Sequence, residues 1–288
     1  MRMRMWRPVF VGIIALLGCT PAVLDPAVQL QQLGTTLVRN GRGEVTAAYP
    51  SNTNILDHEL ALLSKLPQLR KVVLSNTPIT DTGLVHLQSL ADLQWLSLAN
   101  TSLRGVGLGS LRTLTRLQTL HLDHTNIDNA SLSNLTTLSS LRVLSLTNTR
   151  VSSTGLVHLQ HLVDLKSLQL QRTSVTGAGL VHLKSLVGLR HLNLLNTQVT
   201  DPGLIHLNPL VHLQSLQLPP AITDAGIRHL MPMSHLRKLD LSQTRVTAAS
   251  LETLATFRQL QSLKLPESFD AKQAVKLAAA IPQCRISY

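Results

Sequence analysis

The sequence predicts an α/β solenoid of about ten repeated units, with parallel strands on a concave face and helices on the convex face. Three observations predict it. Leu recurs at a fixed 24-residue step, the apolar spacing changes inside each unit from every second to every third residue, and aromatics make up only 2% of a Leu-dominated chain. Interiors of ordinary domains mix side-chain shapes because they pack tightly and irregularly. One residue type used this heavily points to the same pocket built many times over.

At the N-terminus, Arg2, Arg4 and Arg7 precede an apolar run over 9–17. A charged segment followed by a short apolar one is the layout of a secretory signal peptide, expected over 1–18. Crossing a bilayer takes about 20 apolar residues, and the uncharged stretch 8–24 is shorter and broken by Pro8 and Pro21. The segment ends Leu16-Leu17-Gly18-Cys19, which resembles the lipobox of bacterial lipoproteins. The resemblance implies acylation of Cys19 and a membrane anchor. It also implies the outer membrane, because Thr20 stands where inner-membrane retention uses Asp in enterobacterial lipoproteins. A tether over 19–26 would hold the solenoid within roughly 25 Å of the lipid. Removal of the signal would leave 23 basic and 15 acidic residues, without any run of Lys or Arg, and Cys284 as the second cysteine. With Cys19 acylated, no intramolecular disulfide can form, and a terminal strand is expected to bury Cys284.

The repeat domain is expected over 27–288, with an N-terminal cap at 27–44, repeats at 45–270 and a C-terminal cap at 271–288. Pro26 to Asn40 reads as an amphipathic helix ended by Gly41. Val45 opens the series, and Leu69, Leu93, Leu117, Leu141, Leu165, Leu189, Leu213, Leu236 and Leu260 continue it, with one 23-residue step before Leu236. In a clean unit Leu192 and Leu194 alternate as in a half-buried strand, while Leu204, Leu207 and Leu210 recur every three residues, as suits a helix laying one stripe on that strand. A single unit cannot bury its Leu face alone, so the units stack. Ala271 to Ala280 reads as a closing helix, followed by Pro282 and a strand over 284–287.

The unit L-x-x-L-x-L-x-x-T-x-V-T-D-x-G-L-x-H-L, read over 189–207, resembles the leucine-rich-repeat family, in the T-D-x-G-L class of bacterial repeat proteins. The resemblance covers about 27–288 and implies a right-handed, ribonuclease-inhibitor-like horseshoe. Thr53, Thr77, Thr101, Thr125, Thr149, Thr173, Thr197 and Thr244 hold one position of the repeat. They are expected to turn their hydroxyls onto backbone where each strand ends, because an inward polar group needs a partner. Thr80, Thr200 and Thr223, each followed by Asp, suit helix N-caps. At Leu218-Pro219-Pro220-Ala221-Ile222 the Thr rung is lost, and the stack is expected to distort locally.

Residues flanking the strand leucines fall on the concave face. Most are small or amide-bearing, and the expected partner-binding residues are Tyr49, Lys71, Trp95, His121, Asp123, Gln169, Gln171, His191 and Asn193. Trp95 stands out because an open face does not need it for packing, and exposed Trp is a frequent binding anchor. Ser97, His121, Asp123 and Ser145 suggest a hydrolase at first sight, but no nucleophile elbow or oxyanion donor set accompanies them. His86, His158, His182, His206 and His229 recur once per repeat on the helical side. One imidazole per unit, about 10 Å from the next, does not converge as a metal requires. His158 and His161 can share a helical face, but without a carboxylate or thiol nearby.

The expectation is therefore a non-enzymatic, monomeric binding module of the bacterial cell envelope, lipid-anchored through Cys19. It would hold a protein or extended polymer, with no cofactor, no metal and no nucleic acid. The alternative is a structural envelope scaffold without a specific ligand. More distant is a ubiquitin-ligase-type substrate adaptor, which the similar repeats of F-box proteins suggest but which the N-terminal segment is too short to support.

Overall fold

The structure, a computed structural model, describes residues 24–288. The expected signal peptide and Cys19 lie outside the described residues. Twelve strands form one open sheet in chain order. They are β1 (Thr36–Arg39), β2 (Val45–Tyr49), β3 (Lys71–Val73), β4 (Trp95–Ser97), β5 (Thr119–His121), β6 (Val143–Ser145), β7 (Ser167–Gln169), β8 (His191–Asn193), β9 (Ser215–Gln217), β10 (Lys238–Asp240), β11 (Ser262–Lys264) and β12 (Arg285–Ser287). From β2 onward every pairing is parallel, and equivalent positions stand in register, as Leu96 beside Leu120 and Leu144 beside Leu168. The leading leucines are fully buried between this sheet and the helical side.

The N-terminal cap differs from the single helix expected over Pro26 to Asn40. Helix α1 (Pro26–Gln32), started by the Asp25 carboxylate on the Ala27 amide, stops early. Gly34 then takes φ +84, a left-handed conformation that glycine adopts without steric cost. The following Thr-Leu-Val segment becomes β1, which pairs antiparallel with β2. A strand added this way covers the backbone edge of the first repeat better than a helix could, and only the short outer edge of β1 stays open. The C-terminal cap has the expected helix, α4 (Ala271–Ala280), with a capping box between Asp270 and Gln273. Strand β12 follows, and Cys284 is buried beside it, with burial pushing its thiol pKa up.

Most of the helical side is 3₁₀ rather than α-helix, as at Asp81–Leu87, Ser153–Leu159, Gly177–Leu183 and Asp201–Leu207. The sequence spacing explains it. Leu84, Leu87 and Leu90 repeat every three residues and are all fully buried, and three residues per turn is the 3₁₀ period. Within the repeats the α form appears only toward the C-terminus, in α2 (Asp224–Arg228) and α3 (Leu251–Leu254). A 3₁₀ segment is slimmer than an α-helix, so the two sides of the solenoid differ less in width and the sheet curves less steeply.

The Thr rungs form as expected. Each of the eight hydroxyls donates to the carbonyl three residues before it, at 2.5–2.7 Å. The residue before seven of them is left-handed, namely Asn52, Asn76, Asn100, His124, Asn148, Arg172 and Asn196, with φ between 54 and 61. Asn reaches this region more readily than other non-glycine residues, and the turn lets, for example, the Asn76 amide donate to the Ala99 carbonyl of the next repeat. At the 23-residue step this left-handed residue disappears together with the rung. The sheet absorbs the deletion, for β9 and β10 stay paired with Leu216 beside Leu239. The expected distortion is confined to the turn.

Helix capping is only partly as expected. Thr80 and Thr223 accept from the Thr82 and Ala225 amides, whereas Thr200 makes no such bond. The Asp that opens each of these helical segments does more than the Thr, because it reaches forward to the next repeat. Asp57 accepts from the Thr80 amide at 2.8 Å and the Thr80 hydroxyl at 2.5 Å, Asp81 from the Arg104, Gly105 and Gly107 amides, Asp201 from Thr223, and Asp224 from Thr247. The glycine of the same motif makes room for this clasp: a Cβ on Gly83 would lie 2.5 Å from the Asp57 carboxylate. Burial raises the pKa of Asp57 and of Asp224, but the donated hydrogen bonds outweigh it and both stay below the usual carboxylate range.

Candidate functional site

Short strands leave alternate side chains standing out from the sheet face, and on β2–β5 these converge. Lys71 and Trp95 occupy the same register on β3 and β4, and the Lys71 ammonium lies 4.2 Å from the Trp95 ring centre and 5.4 Å from that of Tyr49. On its other side Trp95 meets the His121 imidazole, with ring centres 5.3 Å apart and planes tilted by 50°. His121 Nδ1 lies 3.6 Å from the Asp123 carboxylate. The five residues form one continuous patch that alternates aromatic and charged groups. All five are half-buried, so each still offers a face to solvent.

Asp123 anchors the far end. Its carboxylate accepts from the Ser145 hydroxyl and, at 3.0 Å, from the Thr147 amide. Burial raises its pKa, but the contacts with His121, Ser145 and Thr147 outweigh this and hold it below the usual range. It stays ionised at neutral pH. Lys71 is held by aromatic faces, a contact worth about 0.5–1 kcal/mol where exposed. These contacts restrict the side chains before any partner arrives. Anchors restricted in this way limit the ordering cost of binding.

The other expected binding residues lie elsewhere. Gln169 and Gln171 belong to the β7 repeat, and His191 and Asn193 to β8, three and four strands from Trp95. Their polar groups are largely turned on the protein itself. Gln169 donates to Ser167 at 3.3 Å, Asn193 donates to Gln171 at 3.4 Å, and the Leu195 amide donates to Asn193 at 2.9 Å. His191 is exposed, and its pKa is lowered by burial, then by Lys238 and Arg190. These four do not join the Trp95 patch.

The hydroxyls that suggested hydrolysis are engaged with other groups. Ser97 Oγ lies 2.6 Å from Ser75 Oγ, and Ser145 donates to Asp123, so neither is set on His121 as a nucleophile is set on its base. The repeating histidines of the helical side are half-buried. Among the described residues no three His, Cys, Asp or Glu groups come together as metal ligands, and no helix is long and apolar enough to cross a membrane. The sequence reading missed the Lys71 clamp, the Asp clasps and the left-handed column. The last two carry a visible signal, since Asn52, Asn76 and Asn100, and likewise Asp57 and Asp81, stand at the same 24-residue step as the leucines.

A family model described as "Leucine-rich repeat region" matches residues 51–284. Among solved structures, an internalin, InlF, from Listeria monocytogenes superposes with a TM-score of 0.64 at 18% identity, over 91% of this chain and 93% of its own. The ectodomain of the plant receptor kinase GASSHO1/SCHENGEN3 from Arabidopsis thaliana, solved in complex with CASPARIAN STRIP INTEGRITY FACTOR 2, matches with a TM-score of 0.58 at 19% identity. It covers 85% of this chain and 34% of the ectodomain. A plant peptide hormone receptor, RGFR1, in complex with RGF2, gives 0.56 at 18% identity, over 87% and 39%. At these identities the likeness is one of fold. No curated protein matches the chain in sequence.

Proposed function

The chain belongs to the leucine-rich repeat family, and from that premise we propose that it is a non-enzymatic binding module of the bacterial cell envelope. It holds a protein, or an extended polymer, on the sheet face of the solenoid. The observation that carries this reading is the Tyr49–Lys71–Trp95–His121–Asp123 patch, five side chains locked against one another on a face whose core packing does not need them. Solenoids of the same fold include receptor ectodomains solved with their ligands bound, which supports a protein or peptide partner here. The T-D-x-G-L repeat class and the signal segment with Leu16-Leu17-Gly18-Cys19 support a lipoprotein facing the periplasm or held in the outer membrane.

Two measurements test the proposal. A chain captured from envelope extract should retain its partner, and Trp95→Ala should lose it while keeping the wild-type melting curve. Full retention by Trp95→Ala would remove the patch from the account. Cys19→Ala should move the protein from the membrane to the soluble fraction, and continued membrane association of the processed chain would remove the anchor.

A further inference from the structure

Charge is distributed unevenly along the solenoid. Residues 24–140 hold eight basic and eight acidic residues, whereas residues 141–288 hold fifteen and seven. Three of the four carboxylates between 141 and 240 are occupied: Asp201 and Asp224 clasp the next repeats, and Asp240 bonds Ser242 and faces Lys264 at 3.4 Å. Asp164 makes none of these bonds among the described residues and lies on the same edge as the bases discussed next.

Arg142, Lys166, Arg190 and Arg237 hold one position of the repeat, directly after the leading Leu and before the strand. Parallel register therefore stacks them along one edge of the sheet, over about 19 Å for four strand steps. None is in an ion pair among the described residues. Between Lys166 and His235 the edge opens into a hollow lined by Lys166, Gly188, Arg190, His212, Gln214 and His235. The Lys166 ammonium reaches over Gly188, where a Cβ would lie 2.5 Å from it. The turns that carry these bases also leave apolar side chains in water, with Val163 55%, Val187 53% and Val211 38% exposed. Partial burial, and after it Lys238 and Arg190, disfavour protonation of His191.

We propose that this edge docks on an anionic phospholipid surface, its bases meeting phosphodiester headgroups and its three valines entering the boundary of the acyl layer. Juxtamembrane bases are attracted to such a surface, and a free phosphate would fill the hollow without giving the valines a role. A nucleic acid would look for stacking aromatics; here Phe257 and Phe269 are buried, Tyr288 stands at the last strand rather than on this edge, and the two imidazoles of the hollow, His212 and His235, already pack on each other with ring centres 5.3 Å apart. Weak interfacial contacts of this kind need a second anchoring signal to hold a protein firmly. The edge is distinct from the Trp95 patch, so either can fail without the other.

The test is flotation of the full chain carrying Cys19→Ala, so that no acyl group contributes, on vesicles of phosphatidylcholine with and without phosphatidylglycerol. The anionic vesicles should be preferred. The triple variant Lys166→Gln, Arg190→Gln, Arg237→Gln should lose about a hundred-fold in that preference, and Val187→Asp should weaken it as well. Arg42→Gln, Arg104→Gln, Arg112→Gln removes the same charge from exposed sites elsewhere and should keep the preference. Equal partition between the two vesicles, or equal loss in both triple variants, would overturn the proposal. So would displacement by inorganic phosphate or a short DNA duplex at charge concentrations that match the vesicles, since the ligand would then be a soluble anion.

Discussion

Strands β2–β5 and strands β7–β11 rest on the same buried apolar positions, yet they show solvent different chemistry. The first group carries Tyr49, Lys71, Trp95, His121 and Asp123, locked into one patch in a stretch of balanced charge. The second carries amides that bond their own neighbours and a surplus of unpaired bases at the strand-entry edge. The inward positions, repeated almost without change, make the fold. Function is left to the few outward positions that break the repeat.

The largest expected effects test whether the skeleton is shared. Leu96 on β4 and Leu168 on β7 are both fully buried, and each Leu→Ala change should cost about 3 kcal/mol through lost transfer energy and the cavity left behind. Urea unfolding measures both. Costs that differ by more than about 1.5 kcal/mol, half the expected loss, would mean that one half packs more loosely and that the shared skeleton is only apparent.

The next effect separates the outward faces. Trp95→Ala should lower partner affinity by about 2 kcal/mol, the scale of an interface hot spot, or roughly thirty-fold in Kd by titration of the captured partner. Asn193→Ala, in the other group, should leave Kd within about threefold, as for a contact outside the hot spot. Equal losses would spread the binding surface along the whole sheet.

How much of this was legible from the residues follows from the kind of interaction. The sheet, its register and the Thr rungs follow from the 24-residue step, because burial repeats with it. The convex segments turned out 3₁₀ although Leu84, Leu87 and Leu90 already displayed a spacing of three. The N-terminal helix is shorter than its apolar pattern suggests because Gly34, at φ +84, stops it. In the site, Trp95, His121 and Asp123 could be placed together from register alone. The clamp on Lys71 could not, because a long flexible side chain has many rotamers and only its neighbours select one. For the same reason the Gln and His residues of β7 and β8 looked equivalent to the Trp95 group, since sequence places a side chain on a face without saying whether it bonds outward or to the protein.

The Asp clasps act in both halves and should behave alike. In the folded chain the hydrogen bonds donated to Asp57 and Asp224 outweigh burial and hold both carboxyls below the usual carboxylate range. Their contribution is present above that range and is lost as pH falls through the lower folded values. Stability should therefore drop on acidification below about pH 4. Asp57→Ala and Asp224→Ala should each cost about 1–2 kcal/mol near neutrality, leaving amides and hydroxyls of the next repeat without their acceptor, and each should flatten the acid limb of the pH profile. Thermal melts between pH 3 and pH 7 read both. An acid limb that is unchanged in the variants would place its origin in other carboxylates, such as Asp123.

The smallest effect is the sharpest check on the contrast between the two faces. Gln169 and Gln171 stand on the same face as Trp95, and the sequence alone gives no reason to rank them below it. Their side chains are half-buried, and their hydrogen bonds run at 3.3 and 3.4 Å, long enough to contribute little. Gln169→Ala and Gln171→Ala should therefore each shift stability by no more than about 0.5 kcal/mol and leave partner affinity unchanged. If either cost as much affinity as Trp95→Ala, the amides would have to leave their intramolecular partners on binding, and the β7–β8 surface would be a second contact made only when a ligand spans the sheet.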